Sequence, residues 1–171
     1  MKPEDFIGRG PTLVLEDYFA GTTTAWGLVE DRFGKVRRQF RVTIVGRRTA
    51  SGIELDETFR YDDGGSDHRV WSVTRLGQGR YSGTAHDVVG AALGRAAGPA
   101  LSWRYRLRLR IGRRTWTVAF DDWMLLQGDG VLINRAILRK WGIRLGQVTL
   151  FFRQEPVAGH LEDAATRQAA E

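Results

Sequence analysis

This sequence predicts an all-β fold: a single antiparallel meander of about nine or ten strands that closes into a barrel. Three observations carry that reading. Residues 103–111 alternate an apolar side chain with Arg at every step, which sets Trp103, Tyr105, Leu107, Leu109 and Ile111 on one face of a strand. On a helix the same arginines would be spread around the whole circumference. Similar alternating stretches recur along the chain, joined by short turns rich in Gly, the residue that supplies the positive φ of tight hairpins. No βαβ rhythm, internal repeat or low-complexity run competes with this pattern.

In order, the lead-in of residues 1–14 is followed by Leu15-Glu16-Asp17-Tyr18-Phe19, which reads as a helical turn plugging one end of the barrel. Alternation then predicts strands over residues 22–31, 35–45, 53–61, 68–76 and 80–88. Residues 90–99, mostly small, read as a non-strand insertion forming a lid, a bulge or a short helical turn. Strands resume at 103–111, 115–124, 131–139 and 144–152. A meander of this length removes its sheet edges by closing on itself, so the barrel domain is placed at 15–155. From Pro156 the composition shifts to Ala, Glu, Gln and Arg, and 156–171 are expected to form a flexible or helical tail.

Composition limits the chemistry. At 171 residues with a formal net charge of +6, the chain is long enough to bury a core without disulfides or a structural metal. It contains no Cys, so disulfides, thiolate catalysis and Cys-ligated zinc are excluded. All its basic residues except Lys2, Lys35 and Lys140 are Arg, and they are spread along the chain. That spread favours a solvated Arg-rich surface over nucleic-acid binding, while leaving peripheral contact with an anionic membrane open. The acidic start, Met1 to Phe6, has no basic n-region and no apolar h-region after it, and no stretch is long enough to span a bilayer as a helix. The residues therefore predict a cytoplasmic protein.

The informative departures from alternation are charges on the apolar face. Glu57 lies among Ile53, Leu55, Phe59 and Tyr61, and Asp122 among Trp116, Val118, Phe120 and Met124. Arg38 joins Val36, Phe40, Val42 and Ile44. Arg69 accompanies Trp71 and Val73, Arg135 accompanies Ile133 and Ile137, and Tyr81, Gly83 and Ala85 continue to Asp87. Buried charges of this kind must pair, bind a ligand or line a wet lumen, because an isolated one costs several kcal/mol. One reading is a balanced structural network. The other is a pocket in which burial raises the pKa of Glu57 or Asp122 and an Arg holds an anionic group.

Other motifs carry less. His68, His86 and His160 have no metal-ligand spacing, and neither a metal nor another cofactor is expected. His86 beside Asp87 would point to the opposite side of a strand. The serines lack a nucleophile elbow, and no Gly-rich stretch joins a strand to a helix as phosphate-binding loops do.

Several ordered blocks resemble a known family. They are Tyr18-Phe19-Ala20-Gly21 with Ala25-Trp26-Gly27, Asp31-Arg32-Phe33-Gly34-Lys35-Val36 with Arg38 and Phe40, and Asp56-Glu57-Thr58-Phe59-Arg60-Tyr61-Asp62-Asp63-Gly64 with Arg69-Val70-Trp71. They continue through Ala85-His86-Asp87-Val88-Val89-Gly90-Ala91-Ala92, Trp103-Arg104-Tyr105, Phe120-Asp121-Asp122-Trp123-Met124, Asn134-Arg135-Ala136 and Gly146-Gln147-Val148-Thr149-Leu150-Phe151-Phe152. Over about residues 15–153 the chain resembles the bacterial family of domain of unknown function 3833. That family has no assigned activity. Many members look like envelope lipoproteins with an N-terminal lipidated Cys, so the resemblance implies envelope association, although this chain has no Cys. The segment from Gly21 to Trp26 is also loosely similar to the opening of lipocalins, which implies a calycin-like cup with room for one small ligand.

The expectation is a non-enzymatic barrel that binds a small amphipathic or lipid-like ligand, with an anionic group as an option. Trp26, Phe40, Phe59, Trp71, Trp103, Tyr105 and Phe120 would form its aromatic wall, with Arg38, Arg69 or Arg135 holding an acidic group and Glu57, Asp87 and Asp122 completing the polar lining. The alternatives are a barrel hydrolase or isomerase using Glu57 or Asp122 as general acid or base, and a purely structural module.

Overall fold

A computed structural model describes residues 1–111 and 113–156. A short 3₁₀ turn, Pro3–Phe6, leads to the four-residue helix α1, Leu15–Tyr18. Ten strands follow: β1 (Gly21–Asp31), β2 (Val36–Arg48), β3 (Gly52–Tyr61), β4 (Ser66–Gly77), β5 (Arg80–Thr84), β6 (Ala92–Ala97), β7 (Ala100–Ile111), β8 (Arg114–Leu126), β9 (Leu132–Lys140) and β10 (Ile143–Gln154). Each pairs antiparallel with its neighbour in sequence, and β1 pairs with β10, so the meander closes into a barrel. The period-2 pattern dictates what fills it. Ile44, Ile53, Leu101 and Leu132, all buried, face the interior, and the arginines between the apolar residues of β7 face out.

One end is closed by α1, as the apolar turn before β1 predicts. Phe19 packs edge-on against Phe152 at 5.7 Å, and the Tyr18 hydroxyl donates to the backbone carbonyl oxygens of Gly130 and Phe152. Gly46 lies against the Phe19 carbonyl, where a Cβ would collide, so glycine there lets the plug descend onto β2.

Residues 90–99 are not a lid. Their core is β6, which pairs with both β5 and β7, and it escapes the alternation signal because Ala and Gly fill its inward positions. Gly94 lies directly beneath the Trp103 ring, as does Gly83 of β5. These glycines make room for an indole lying flat across two neighbouring strands. Gly27 does the same for the ring of Phe40, its cross-strand partner.

Three placements also change. β5 ends at Thr84, so Asp87 lies on a loop and not on a strand. In β9 the inward set is Leu132, Asn134, Ala136 and Leu138, which turns Arg135 out to solvent. Both faces of β9 carry branched apolar residues, and the outer Ile137 is partly covered in a surface groove beside Arg104 and Arg106, which made the phase ambiguous. In β1, Ala25 and Gly27 face inward beneath the neighbouring β2 side chains, so Trp26 lies outside, 48% exposed, with the Arg41 guanidinium over its ring. The expected tail, including His160, falls outside the described residues apart from Pro156.

Candidate functional site

A cavity of about 340 Å³ runs along the barrel axis. It starts above Leu15 and Phe19 at the plugged end and reaches Val29, Arg38, Tyr61, Leu109 and Val148 towards the other. Its size is at the lower end of small-molecule pockets, roughly 300–1,000 Å³, and its walls are mainly aliphatic and aromatic. Of the expected aromatic wall, Phe40, Phe59, Trp71, Trp103, Tyr105 and Phe120 line it and Trp26 does not. Tyr105 stacks on Phe120 at 5.0 Å, and Trp71 meets Trp103 and Tyr105 edge-on at 5.9 and 5.4 Å. Such offset and edge contacts hold the rings in place and so define the shape of the cavity.

A polar belt crosses this wall at mid-height, in two parts. In the first, Glu57 and Arg69 are cross-strand partners on β3 and β4, with Arg69 Nη1 3.6 Å from Glu57 Oε2. Arg69 turns most of its donors the other way: Nε donates to both carboxylate oxygens of Asp87 at 3.0 and 3.1 Å, and Nη2 donates to Oδ2 at 2.8 Å. Glu57 is left with the weaker contact. Burial pushes its carboxyl up to about 7, against the opposing pull of Arg69 and the Trp71 side chain.

In the second part, the Tyr105 hydroxyl donates to Asp122 Oδ2 at 3.2 Å. Burial raises the Tyr105 phenol well above its ordinary value, so it stays protonated and remains a donor. Burial also pushes the Asp122 carboxyl up to about 7, with Tyr105 and Asn134 pulling the other way. Asp122 and Asn134 are 5% and 1% exposed, and both line the cavity; the Asn134 amide lies close enough to pull on the Asp122 carboxyl, yet among the described residues neither Asp122 Oδ1 nor Asn134 Nδ2 makes a well-formed hydrogen bond. Unpartnered polar atoms this deeply buried are rare, because each costs about 1–3 kcal/mol.

Towards the open end, the Arg38 guanidinium sits 3.4 Å from the centre of the Tyr61 ring and bonds Asp63 at 2.7 Å, while its Nε has no partner among the described residues. The Tyr61 hydroxyl donates to Asp67 at 2.9 Å. The structure thus brings Arg38, Glu57, Arg69, Trp71, Asp87, Trp103, Tyr105 and Asp122 around one interior and leaves Arg135 on the outer surface. Asn134 was missed because its neighbour was assigned the inward position. A polar residue in the phase of Leu132, Ala136 and Leu138 was the available signal. His68 lies outside, 2.7 Å from Asp56, and His86 is exposed.

A family model described as "Protein of unknown function (DUF3833)" matches residues 1–154, a span that includes every strand of the barrel, and the chain belongs to that family. No curated protein matches it.

Proposed function

We propose that this member of the DUF3833 family binds a small amphipathic, lipid-like molecule inside its barrel. The observation that carries the reading is the pairing of a largely apolar cavity with two buried polar atoms, Asp122 Oδ1 and Asn134 Nδ2, that make no well-formed hydrogen bond among the described residues. An apolar body fits against Phe40, Phe59, Leu109 and Leu150. A hydroxyl or amide on the same molecule would give to the carboxyl and accept from the amide, relieving both atoms at once.

The charges narrow the ligand class. Arg69 is already engaged by Asp87, Arg135 is outside, and two carboxyls lie deep in the cavity. A deep anionic group would meet carboxyls without a free guanidinium, so the buried polar end is uncharged. An acidic headgroup fits only near the mouth, at Arg38 Nε.

The test is titration with the neutral amphipathic fluorophore N-phenyl-1-naphthylamine, followed by its displacement with long-chain alcohols, amides and carboxylates. Saturable binding, with uncharged polar ends displacing better than carboxylates, supports the reading. Absence of saturable binding, or a clear preference for carboxylates deep in the cavity, overturns it. A second reading, general acid–base catalysis, is favoured by one observation only: Glu57 and Asp122 both have pKa values near 7 on one cavity, where a proton can be held or released at neutral pH. A turnover that survives both Glu57→Gln and Asp122→Asn would dismiss it.

A further inference from the structure

We propose that one part of the open barrel rim, formed by the β1–β2 and β9–β10 turns and the start of β8, docks on an anionic lipid bilayer. Among the described residues, the two exposed aromatic residues at hairpin tips are both here: Phe33 is 79% exposed and Trp141 87%. Val36 and Ile143 beside them are also exposed. Because β1 pairs with both β2 and β10, the tips carrying Phe33 and Trp141 are neighbours at the same end of the barrel. Trp at a water–hydrocarbon boundary places an apolar ring in the headgroup layer, and insertion strength grows with the apolar area buried.

The charge around these tips is one-sided. Arg32 and Lys35 flank Phe33, Lys140 and Arg144 flank Trp141 and Ile143, and Arg113 precedes and Arg114 begins β8, the strand whose Trp116 lies under Lys140. Among the described residues none of these six cations is in an ion pair, and Lys140 lies instead over the rings of Trp116 and Trp141 at 3.4 and 4.5 Å. The acid on these turns, Asp31, is bonded to Arg37. Two connections remain at this end: the β3–β4 turn, with Asp62, Asp63 and nearby Asp67, is acidic, and the β5–β6 loop carries His86 and Asp87, so the barrel must tilt to keep them in water. At the plugged end, Thr49–Ser51, Gln78 and Gln127–Gly130 offer no aromatic tip. The outer wall does not suit lipid either, since Arg104, Arg106, Arg108 and Arg110 project from β7, and arginine in the hydrocarbon layer costs about 2–4 kcal/mol. Contact through the rim therefore uses the surface whose charge complements an anionic leaflet, and it does not depend on what the cavity holds.

Vesicle flotation tests this with phosphatidylcholine alone and with phosphatidylcholine mixed with phosphatidylglycerol. The wild-type chain should float with the mixed vesicles, not with the neutral ones, and should be released by salt. Phe33→Ser combined with Trp141→Ser, and separately Arg113→Glu with Arg114→Glu, should each weaken binding by about tenfold or more, the first from the loss of inserted apolar area and the second from the loss of attraction to the anionic headgroups. Trp26→Ser, which removes an exposed aromatic residue from the wall, should bind as wild type. No flotation at low salt, equal flotation with neutral vesicles, or wild-type binding by both rim variants would overturn the proposal.

Discussion

Arg69 closes the barrel wall by holding Asp87 through three hydrogen bonds. On the β5 side, β4 has backbone partners only from Ser72 onward, because β5 stops at Thr84. The loop that follows is tied by its backbone to β7, with Arg108 N donating to the Asp87 carbonyl, Val89 N to the Arg106 carbonyl, and Val88 bridged to Leu107. Between that loop and the first half of β4 no backbone hydrogen bond forms among the described residues. The side-chain pair spans the gap, and it also explains why an acid on a loop still turns inward.

Removing one member should therefore cost more than its own contacts, because it leaves the other buried without its partner. Arg69→Met leaves Asp87 and Glu57 buried without a cation and should lower stability by about 3–5 kcal/mol, while Arg69→Met with Asp87→Leu should lose less than the sum of the single changes. Denaturant melts of the four chains measure the coupling. Additive losses would mean that the contact contributes nothing specific.

Glu57 and Asp122 predict an unusual pH dependence. Both hold a proton more tightly folded than unfolded, with values raised to about 7 from 4.5 and 3.8. Between the unfolded and folded values the native state binds more protons, so stability is fullest in mild acid and falls as pH rises towards 7, by about 3–4 kcal/mol for each group. Urea melts at pH 5 and pH 8 should show the drop, and Asp122→Asn should reduce it. A flat profile in the wild type would contradict these carboxyl environments.

Gly94 is required by the ring above it. Gly94→Val would push a side chain into the Trp103 indole and should destabilise by about 1–3 kcal/mol while shifting the near-ultraviolet circular dichroism of the aromatic cluster. Unchanged spectra and stability would show that Trp103 is not held flat against β6.

Tyr18→Phe should loosen the plug. Its hydroxyl spans from α1 to Gly130 and Phe152, so the change should cost about 1–2 kcal/mol and speed hydrogen exchange of the neighbouring β10 amides. Exchange unchanged at that end would remove the role given to the hydroxyl.

The sequence revealed the barrel wherever large apolar residues alternate with charges, as in β3, β4, β7 and β8. The same alternation identified Glu57, Arg69 and Asp122 as inward-facing, because bulky neighbours two residues away leave only one phase. It failed where both phases are equally apolar, at Arg135, and where the inward residues are Ala and Gly, at Trp26 in β1 and in β6. The pairing of Arg69 with Asp87, and the unpartnered state of Asp122 and Asn134, depend on how distant strands stack around the axis. No local pattern encodes that.

Native mass spectrometry of the freshly purified chain, compared with its denatured mass and an organic extract, tests the binding reading most directly. A reproducible extra mass that is lost on denaturation, and reduced in Asp122→Leu combined with Asn134→Leu when that variant retains the wild-type circular dichroism, is the predicted result. A bare chain mass, together with no uptake when long-chain alcohols and amides are supplied, would contradict a ligand-binding barrel.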